Sequence, residues 1–360
     1  MKTLLFFTMM LVALGLSAQE KFFKHIATAP TIAWANVSIL DHPLLNGSPD
    51  AKVFISHYRD GESNNHRSGV FYFDGRWYIY QEDWEPIKVN SAYMVYIADA
   101  DDAFRHDVAL PMISSMLDHS IINGSSDKNP VYTHVNVANN DLCDFNLGFA
   151  YDAGFGTWNL TNLSLENIPS PSSYFITAEG ADPAIIGYRH VTDSENLIDG
   201  GCTVIDHPQL NLNENAGIVF SHHYGSVDNP TGNVMVDKTF AIQYNWARGD
   251  WRICTEDFTT IPEGARFNLL FQADAIMNTN ETQIENSSTA YPNPIIDKVN
   301  FSSKSIIQKI SVHDFSGKII SESNPDSDKI TMDLSKLRAG IYVAKIQTKE
   351  GVQTIKLIKK

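Results

Sequence analysis

The chain has 360 residues, 43% of them hydrophobic and 19% charged, with a formal net charge of −15. That hydrophobic share is ordinary for globular protein, and the length suggests roughly two to four domains, each able to bury a core. The acidity repels phosphate backbones, so nucleic acid is not an expected partner.

The charge is unevenly spread. Residues 290–360 hold 12 Lys and Arg against 7 Asp and Glu, and the rest of the chain holds 15 against 35. Solubility accounts for the acidic body; calcium sites built from loop Asp and Asn are the minority alternative. The three cysteines, Cys143, Cys202 and Cys254, form no Cys-x-x-Cys, so neither a zinc ribbon nor a thioredoxin-like motif is present. Cys202 and Cys254 fall in the same repeat and either pair or serve as small buried apolar residues.

At the N-terminus, Met1-Lys2 precedes an apolar run from Leu4 to Leu16 and then Ser17-Ala18-Gln19. A short basic start, a short apolar stretch and a small residue before a polar turn read as a secretory signal peptide cleaved after Ala18, residues 1–18. No Cys follows that site, so a lipoprotein anchor is not expected. No other run has the length of a transmembrane helix.

A repeat then begins. Asp41-His42, Asp118-His119 and Asp206-His207 each stand sixteen residues before a further His, at 57, 134 and 222. A Gly-x-Trp follows in each copy, ending at Trp77, Trp158 and Trp251, with an Ile ten residues later and an aromatic sixteen later. Matched offsets of this kind mark an internal repeat of about 80–90 residues. The boundaries are 19–101, 102–180 and 181–274. Each copy opens with an aromatic, a base and a His: Phe23-Lys24-His25, Phe104-Arg105-His106 and Tyr188-Arg189-His190.

In copy one, Ala35 to Leu40 reads as a first strand and Val53 to Tyr58 as a second. Val70 to Phe73 and Trp77 to Tyr80 flank Asp74-Gly75, a two-residue hairpin signal, because a type I′ turn needs positive φ at both central positions. Ala92 to Ile97 closes the unit. Short strands without sustained helical periodicity predict an all-β fold: three tandem small β-sandwich or barrel-like modules. Residues 275–289 form a polar linker with little to bury.

Nine of the twelve histidines occupy matched positions. Three imidazoles per copy would suit zinc or copper if they converged, but structural use at strand ends and turns is the stronger expectation. No metal or other cofactor is therefore assigned. The adjacent Asp-His pair tempts an acid–base reading, yet neighbours on a strand point to opposite faces. No Gly-x-Ser-x-Gly, His-Glu-x-x-His or phosphate loop occurs, and no catalytic residue is assigned. The Gly-x-Trp tryptophans are expected on the core face.

The segment between the second-strand His (His57, His134, His222) and Gly-x-Trp varies in length between copies, and variable loops on a fixed scaffold carry specificity. Tyr58, Arg59, Asn136, His223 and Tyr224 lie in or beside those loops. With the aromatics Trp84 and Trp246, they are the candidate ligand-binding residues. Trp84, Tyr58, Tyr224 and Trp246 are expected to be exposed.

The last segment, 290–360, alternates apolar and polar residues between Gly and Asp punctuation, as in a small Ig-like β-sandwich. Ala290-Tyr291-Pro292-Asn293-Pro294, Val312-His313-Asp314-Phe315-Ser316-Gly317-Lys318, Leu337-Arg338-Ala339-Gly340-Ile341-Tyr342-Val343 and a Lys-rich end stand in order. Together they resemble the C-terminal sorting domain of the Bacteroidetes type IX secretion system. The resemblance implies Sec export, outer-membrane translocation by the type IX machinery, removal of this domain, and release or surface attachment. The repeats resemble an uncharacterised tandem module of secreted bacterial proteins; copy two departs from its pattern at Ser120 and copy three at Leu212.

These observations point to an extracellular or surface-displayed binding protein without catalytic activity, with a glycan, polysaccharide or matrix ligand, whose linked modules would gain avidity. An extracellular hydrolase with an unrecognised site is the alternative, and a structural surface-layer component the third class.

Overall fold

A computed structural model describes residues 21–360 other than 61, 138–141, 181, 199–200, 274–287, 314–318, 339 and 350. The expected signal peptide, and all but the last two positions of the expected linker, lie outside the described residues. Every regular element among the described residues is a strand. The chain divides into two compact units, Met1–Thr279 and Asn280–Lys360.

Copy one contributes β1 (Phe22–Ile26), β2 (Ile32–Trp34), β3 (Val37–Leu40), β4 (Lys52–Tyr58), β5 (Ser68–Phe73), β6 (Arg76–Gln81) and β7 (Ala92–Ala98). Copy two contributes β8 (Ala103–Val108), β9 (Ser114–Leu117), β10 (Val131–His134), β11 (Leu147–Asp152), β12 (Thr157–Asn162) and β13 (Ser172–Thr177). Copy three contributes β14 (Ile186–Val191), β15 (Leu197–Ile198), β16 (Cys202–Ile205), β17 (Gly217–Ser226), β18 (Phe240–Asn245), β19 (Asp250–Thr255) and β20 (Arg266–Gln272). The aromatic–base–His opener of each copy forms a strand of its own (β1, β8, β14). Its alternation is hidden in the sequence because both faces are partly covered.

Each copy folds into two antiparallel triplets. One is β1-β7-β4, β8-β13-β10 or β14-β20-β17; the other is β3-β6-β5, β9-β12-β11 or β16-β19-β18. The β5–β6 hairpin turns at Asp74 and Gly75, with φ of 45° and 78°, the type I′ geometry that Asp-Gly favours. Trp77, Trp158 and Trp251 are fully buried. Each also donates its indole N–H to a carbonyl of its own copy's Asp-His loop, at Ser48 (2.8 Å), Ser125 (3.2 Å) and Asn213 (2.7 Å). The ring fills the space between triplets and its polar edge fastens the loop.

The copies are not beads on a string. β4 pairs in parallel with β18 of copy three, and β17 pairs in parallel with β11 of copy two. A parallel bridge between Val70 and Val135 joins copies one and two. Copy one thus meets three, three meets two, and two meets one, closing a ring of pseudo-threefold symmetry. A second cycle lies inside it. The Ile55 N–H donates to Thr133 Oγ1, the Tyr132 N–H to Ser221 Oγ, and the Phe220 N–H to Ser56 Oγ, at 3.0 to 3.1 Å. A hydroxyl residue before the third His of each copy satisfies a buried backbone donor of its neighbour. Sheets and core thus run through the copy boundaries, and Phe175, Val219 and Leu270 pack into the core of copy one.

On the outer face of the second triplet, one cross-strand position is filled in three ways. Val37 faces Tyr80, Ser114 Oγ and Thr161 Oγ1 hydrogen-bond at 2.7 Å, and Cys202 and Cys254 form a disulfide. Cross-strand pairs on one sheet face interact whatever their chemistry. Cys143 is free and buried.

The second unit comprises β21 (Ser288–Tyr291), β22 (Lys298–His313), β23 (Ile319–Ser323), β24 (Ser327–Asp333), β25 (Gly340–Thr348) and β26 (Gly351–Lys359). The first half of β22 pairs with β21 and β24, and its second half with β23 and β25, with register shifts between. Val299, Phe301, Ile310, Val312, Ile346 and Leu357 close the core.

Candidate functional site

The repeated histidines are held by local bonds. The first of each copy meets a hydroxyl of the next strand: His25 Nε2 at Ser38 Oγ (2.8 Å), His106 at Ser115 (2.7 Å) and His190 at Thr203 (2.7 Å). The second, in the Asp-His turn, accepts at Nδ1 from the backbone N–H two residues on, at 3.3 Å in every copy. Its ring packs against the opening aromatic, with centroids 4.5 Å apart for Phe23–His42, 4.0 Å for Phe104–His119 and 5.1 Å for Tyr188–His207. The preceding Asp accepts from an Asn five residues later, at Asn46, Asn123 and Asn211. Among the described residues, no three His, Cys, Asp or Glu side chains are grouped to hold a metal ion.

The seven ligand-binding candidates separate into two groups. Trp84 and Trp246 are open to solvent, at 68% and 66% exposure. Trp84 has φ of 65°, as do its counterparts Leu165 (61°) and Phe258 (61°). Bulky residues seldom adopt this conformation, and all three side chains are exposed. Tyr58 and Tyr224, expected at the surface, are instead buried. Both belong to strands that run into the junctions between copies, which in the sequence read as strand ends and loops. Tyr58 lies edge-on to Trp251, and the Tyr224 hydroxyl meets Thr161 Oγ1 at 3.0 Å. Arg59 is buried against Glu256, its guanidinium bonded to that carboxylate and to the Thr255 carbonyl. His223 is buried against Trp158, with Nε2 at 2.9 Å from the Gly225 carbonyl. Asn136 is half-buried, and its N–H donates to the Val70 carbonyl across the junction of copies one and two.

Two more exposed aromatics, Trp34 and Phe73, sit on a buried and half-buried stack. On the outer face of β2-β3-β6-β5, Phe71 and Tyr78 stack at 4.9 Å and 10°, and Trp34 continues the stack from Tyr78 at 5.8 Å and 24°. Phe73 tilts against Trp34 at 6.5 Å; Trp34 and Phe73 are 52% and 57% exposed. The counterparts of Tyr78 by strand position are Asn159 and Arg252, and those of Phe71 are Ala150 and Gln243. Copy one alone carries rings where the other copies carry small or polar residues. Comparison of the three copies position by position holds this signal.

A chamber of about 130 Å³ lies where the three copies meet, lined by the second-strand residues of each, including His57, His134 and His222. The three imidazoles differ. His222 is neutral: its Nδ1 meets the Arg266 carbonyl at 3.0 Å, its Nε2 accepts from the Val236 N–H at 3.1 Å, and burial pushes its pKa down to about 4. His57 bonds to the Asn64 carbonyl and to Ser68 Oγ, with Glu256 3.6 Å from Nδ1. His134 Nδ1 stands 2.5 Å from Glu82 Oε1, and the Tyr80 hydroxyl donates to the same oxygen at 2.9 Å. Burial acts to lower the His134 pKa, but the Glu82 carboxylate and the neighbouring Cys143 outweigh it and raise it to about 10. Gly69 makes room for this contact: a Cβ there would stand 2.5 Å from Glu82 and 2.8 Å from the Tyr80 ring. The Cys143 N–H donates to Glu82 Oε2 at 3.0 Å, and its sulfur lies 3.1 Å from the Tyr174 hydroxyl.

No curated protein matches the chain. Among solved structures it is similar to PorZ of Porphyromonas gingivalis, described as an essential bacterial surface component of the type-IX secretion system. There the identity is 11% and the TM-score 0.20, over 59% of this chain and 42% of PorZ, so less than half of the PorZ chain is spanned. A biofilm-associated protein BSP domain is similar at 9% identity and a TM-score of 0.16, over 95% of this chain and 81% of that one. Residues 289–360 match the secretion system C-terminal sorting domain. That domain marks the chain for type IX export to the surface or the exterior. Residues 11–97, 69–147 and 148–271 match the domain of unknown function DUF7452. The chain belongs to the DUF7452 family, with a secretion sorting domain behind its three repeats.

Proposed function

We propose that this protein, after Sec export on the N-terminal signal peptide and passage through the type IX machinery, acts outside the cell as a non-catalytic glycan-binding protein. The observation that carries the reading is the aromatic strip of Trp34, Tyr78, Phe71 and Phe73 on copy one. Trp34 and Phe73 face solvent, backed by half-buried Phe71 and buried Tyr78, and such exposed rings on a stacked base offer an apolar platform to the C–H faces of sugars. Aromatic side chains also bind at low conformational-entropy cost. Trp84 and Trp246 are further exposed aromatics elsewhere on the repeats. A glycan array probed with the full chain, beside Trp34→Ala and Phe73→Ala, tests it. Binding should fall at least tenfold in each variant with unchanged thermal unfolding, since both side chains are exposed. Equal binding by all three proteins would refute it.

One grouping favours the hydrolase reading instead. Cys143, His134 and Glu82 meet at the chamber, as a nucleophile, a base and an orienting carboxylate would. Against it, the thiol is buried beside Tyr174, and about 130 Å³ does not admit a polymer. Turnover of an ester or peptide that vanishes in Cys143→Ala would establish the hydrolase.

A further inference from the structure

The axial chamber is unusually rich in hydrogen-bond donors. Ser56, Thr133 and Ser221 each accept a neighbour's backbone N–H, and their own O–H groups find no acceptor among the described residues. The Thr239 hydroxyl and His134 Nε2 are buried and have no partner among the described residues. All five side chains line the same chamber. Buried polar groups are normally satisfied, and such a cluster calls for an occupant.

Water fits this lining poorly. Each hydroxyl can also accept from a water, but a single water accepts only two hydrogen bonds, fewer than the five O–H and N–H donors gathered here. The charges agree. In a chain of net charge −15, this lining carries Arg67, His134 and Lys238 against Glu82 alone. Arg67 is bonded to Asp144 and Asn146, and Lys238 to Asp257. Their side chains are 31% and 39% exposed, so the lining reaches solvent beside two cations. A cavity of roughly 150 Å³ takes a benzene, so about 130 Å³ suits a solute of at most about six non-hydrogen atoms.

We propose that the chamber binds one small oxyanion, with the hydroxyls of Ser56, Thr133, Ser221 and Thr239 and the Nε2–H of His134 donating to its oxygens. Three hydroxyls related by the pseudo-threefold suit three equivalent oxygens, and His134 supplies a charge-assisted bond. Inorganic phosphate, sulfate and short carboxylates share this chemistry. The site stands on different residues from the aromatic strip, so it does not depend on the glycan reading.

Isothermal titration of the full chain with sodium phosphate, sodium sulfate and sodium acetate, in separate runs at constant ionic strength, tests the proposal and tells the sources apart. At least one should bind saturably at one per chain. Thr239→Val is isosteric and removes only an unpartnered hydroxyl, so it should unfold at the same temperature or higher. It should weaken that binding roughly tenfold, the effect of one lost hydrogen bond to a charged group, and Thr239→Ser should retain it. No saturable binding of any of the three, or equal affinity in Thr239→Val, would overturn the proposal. So would crystals grown in phosphate, sulfate and acetate that show only water in the chamber.

Discussion

Glu82 Oε1 lies 2.5 Å from His134 Nδ1, and both residues are buried although they belong to different copies. The counterpart of Glu82 in copy three, Glu256, reaches back to His57 of copy one at 3.6 Å. In copy two the matching position is Leu163, and the histidine it faces, His222, is neutral and bonded to backbone. Each hairpin thus ends on the next copy's histidine, twice through a carboxylate and once without.

Glu82→Gln should leave His134 buried without its counter-charge. Removing one partner of a buried pair costs about 3–5 kcal/mol, and chemical denaturation should show a loss of that order. The His134 pKa, raised from 6.5 to about 10 in the native protein, should fall below neutrality. In the native chain this group's contribution is complete below pH 6.5 and is lost as pH rises toward about 10. Imidazole NMR that still finds His134 protonated at neutral pH in the variant would contradict the pairing.

Acid should weaken the fold before the carboxylates titrate. Burial pushes the pKa of His25, His190 and His222 down to about 4 from 6.5. The unfolded chain takes up these protons first as pH falls through 6.5, so stability declines from there to about pH 4. Each such histidine adds about 1.4 kcal/mol per pH unit within that window. Stability that stays flat between pH 6.5 and 4.5 would show that these imidazoles are not held neutral.

Ring closure predicts that copies fail singly. Residues 103–180 alone should give no cooperative unfolding transition, because one edge of β11 pairs with β17 of copy three and Val135, just past β10, bridges to Val70 of copy one. Within the full chain, Ser56→Ala, Thr133→Val and Ser221→Ala each leave a neighbour's buried N–H without its acceptor. Each should lower stability by about 1–3 kcal/mol. Changes near zero in urea denaturation would mean that the inner cycle is dispensable.

Export should depend on the second unit. Deleting residues 290–360 should hold the protein in the periplasm of its host, and fusing 275–360 to a signal-bearing reporter should carry the reporter out. Fractionation that finds the truncated chain at the surface in equal amount would remove the sorting role from this segment.

The strands, the Asp-Gly hairpin, the buried tryptophans and the sorting domain were legible because each rests on local pattern: period two, positive φ at Gly75, or a matched offset. Ring closure was not. The parallel junctions join segments far apart in the chain, and a strand continuing past Tyr58 or Tyr224 into another copy looks like a strand giving way to a loop. The burial of Arg59 depends on Glu256, 197 positions away. The aromatic strip was present in the alternation of Trp77-Tyr78-Ile79-Tyr80, where both faces are apolar. It stands out only when copy one is set against Asn159 and Arg252.

A closed ring also limits how such a protein can change over time. An open array gains or loses a unit at its ends and keeps its nearest-neighbour contacts. Here a fourth unit would have to break an existing seam, and losing one would strand two unpaired edges. Duplication is therefore closed to this architecture as a source of novelty. Change must come from divergence at fixed positions, as when a single location holds Tyr80 opposite Val37, a Ser–Thr pair, or a disulfide.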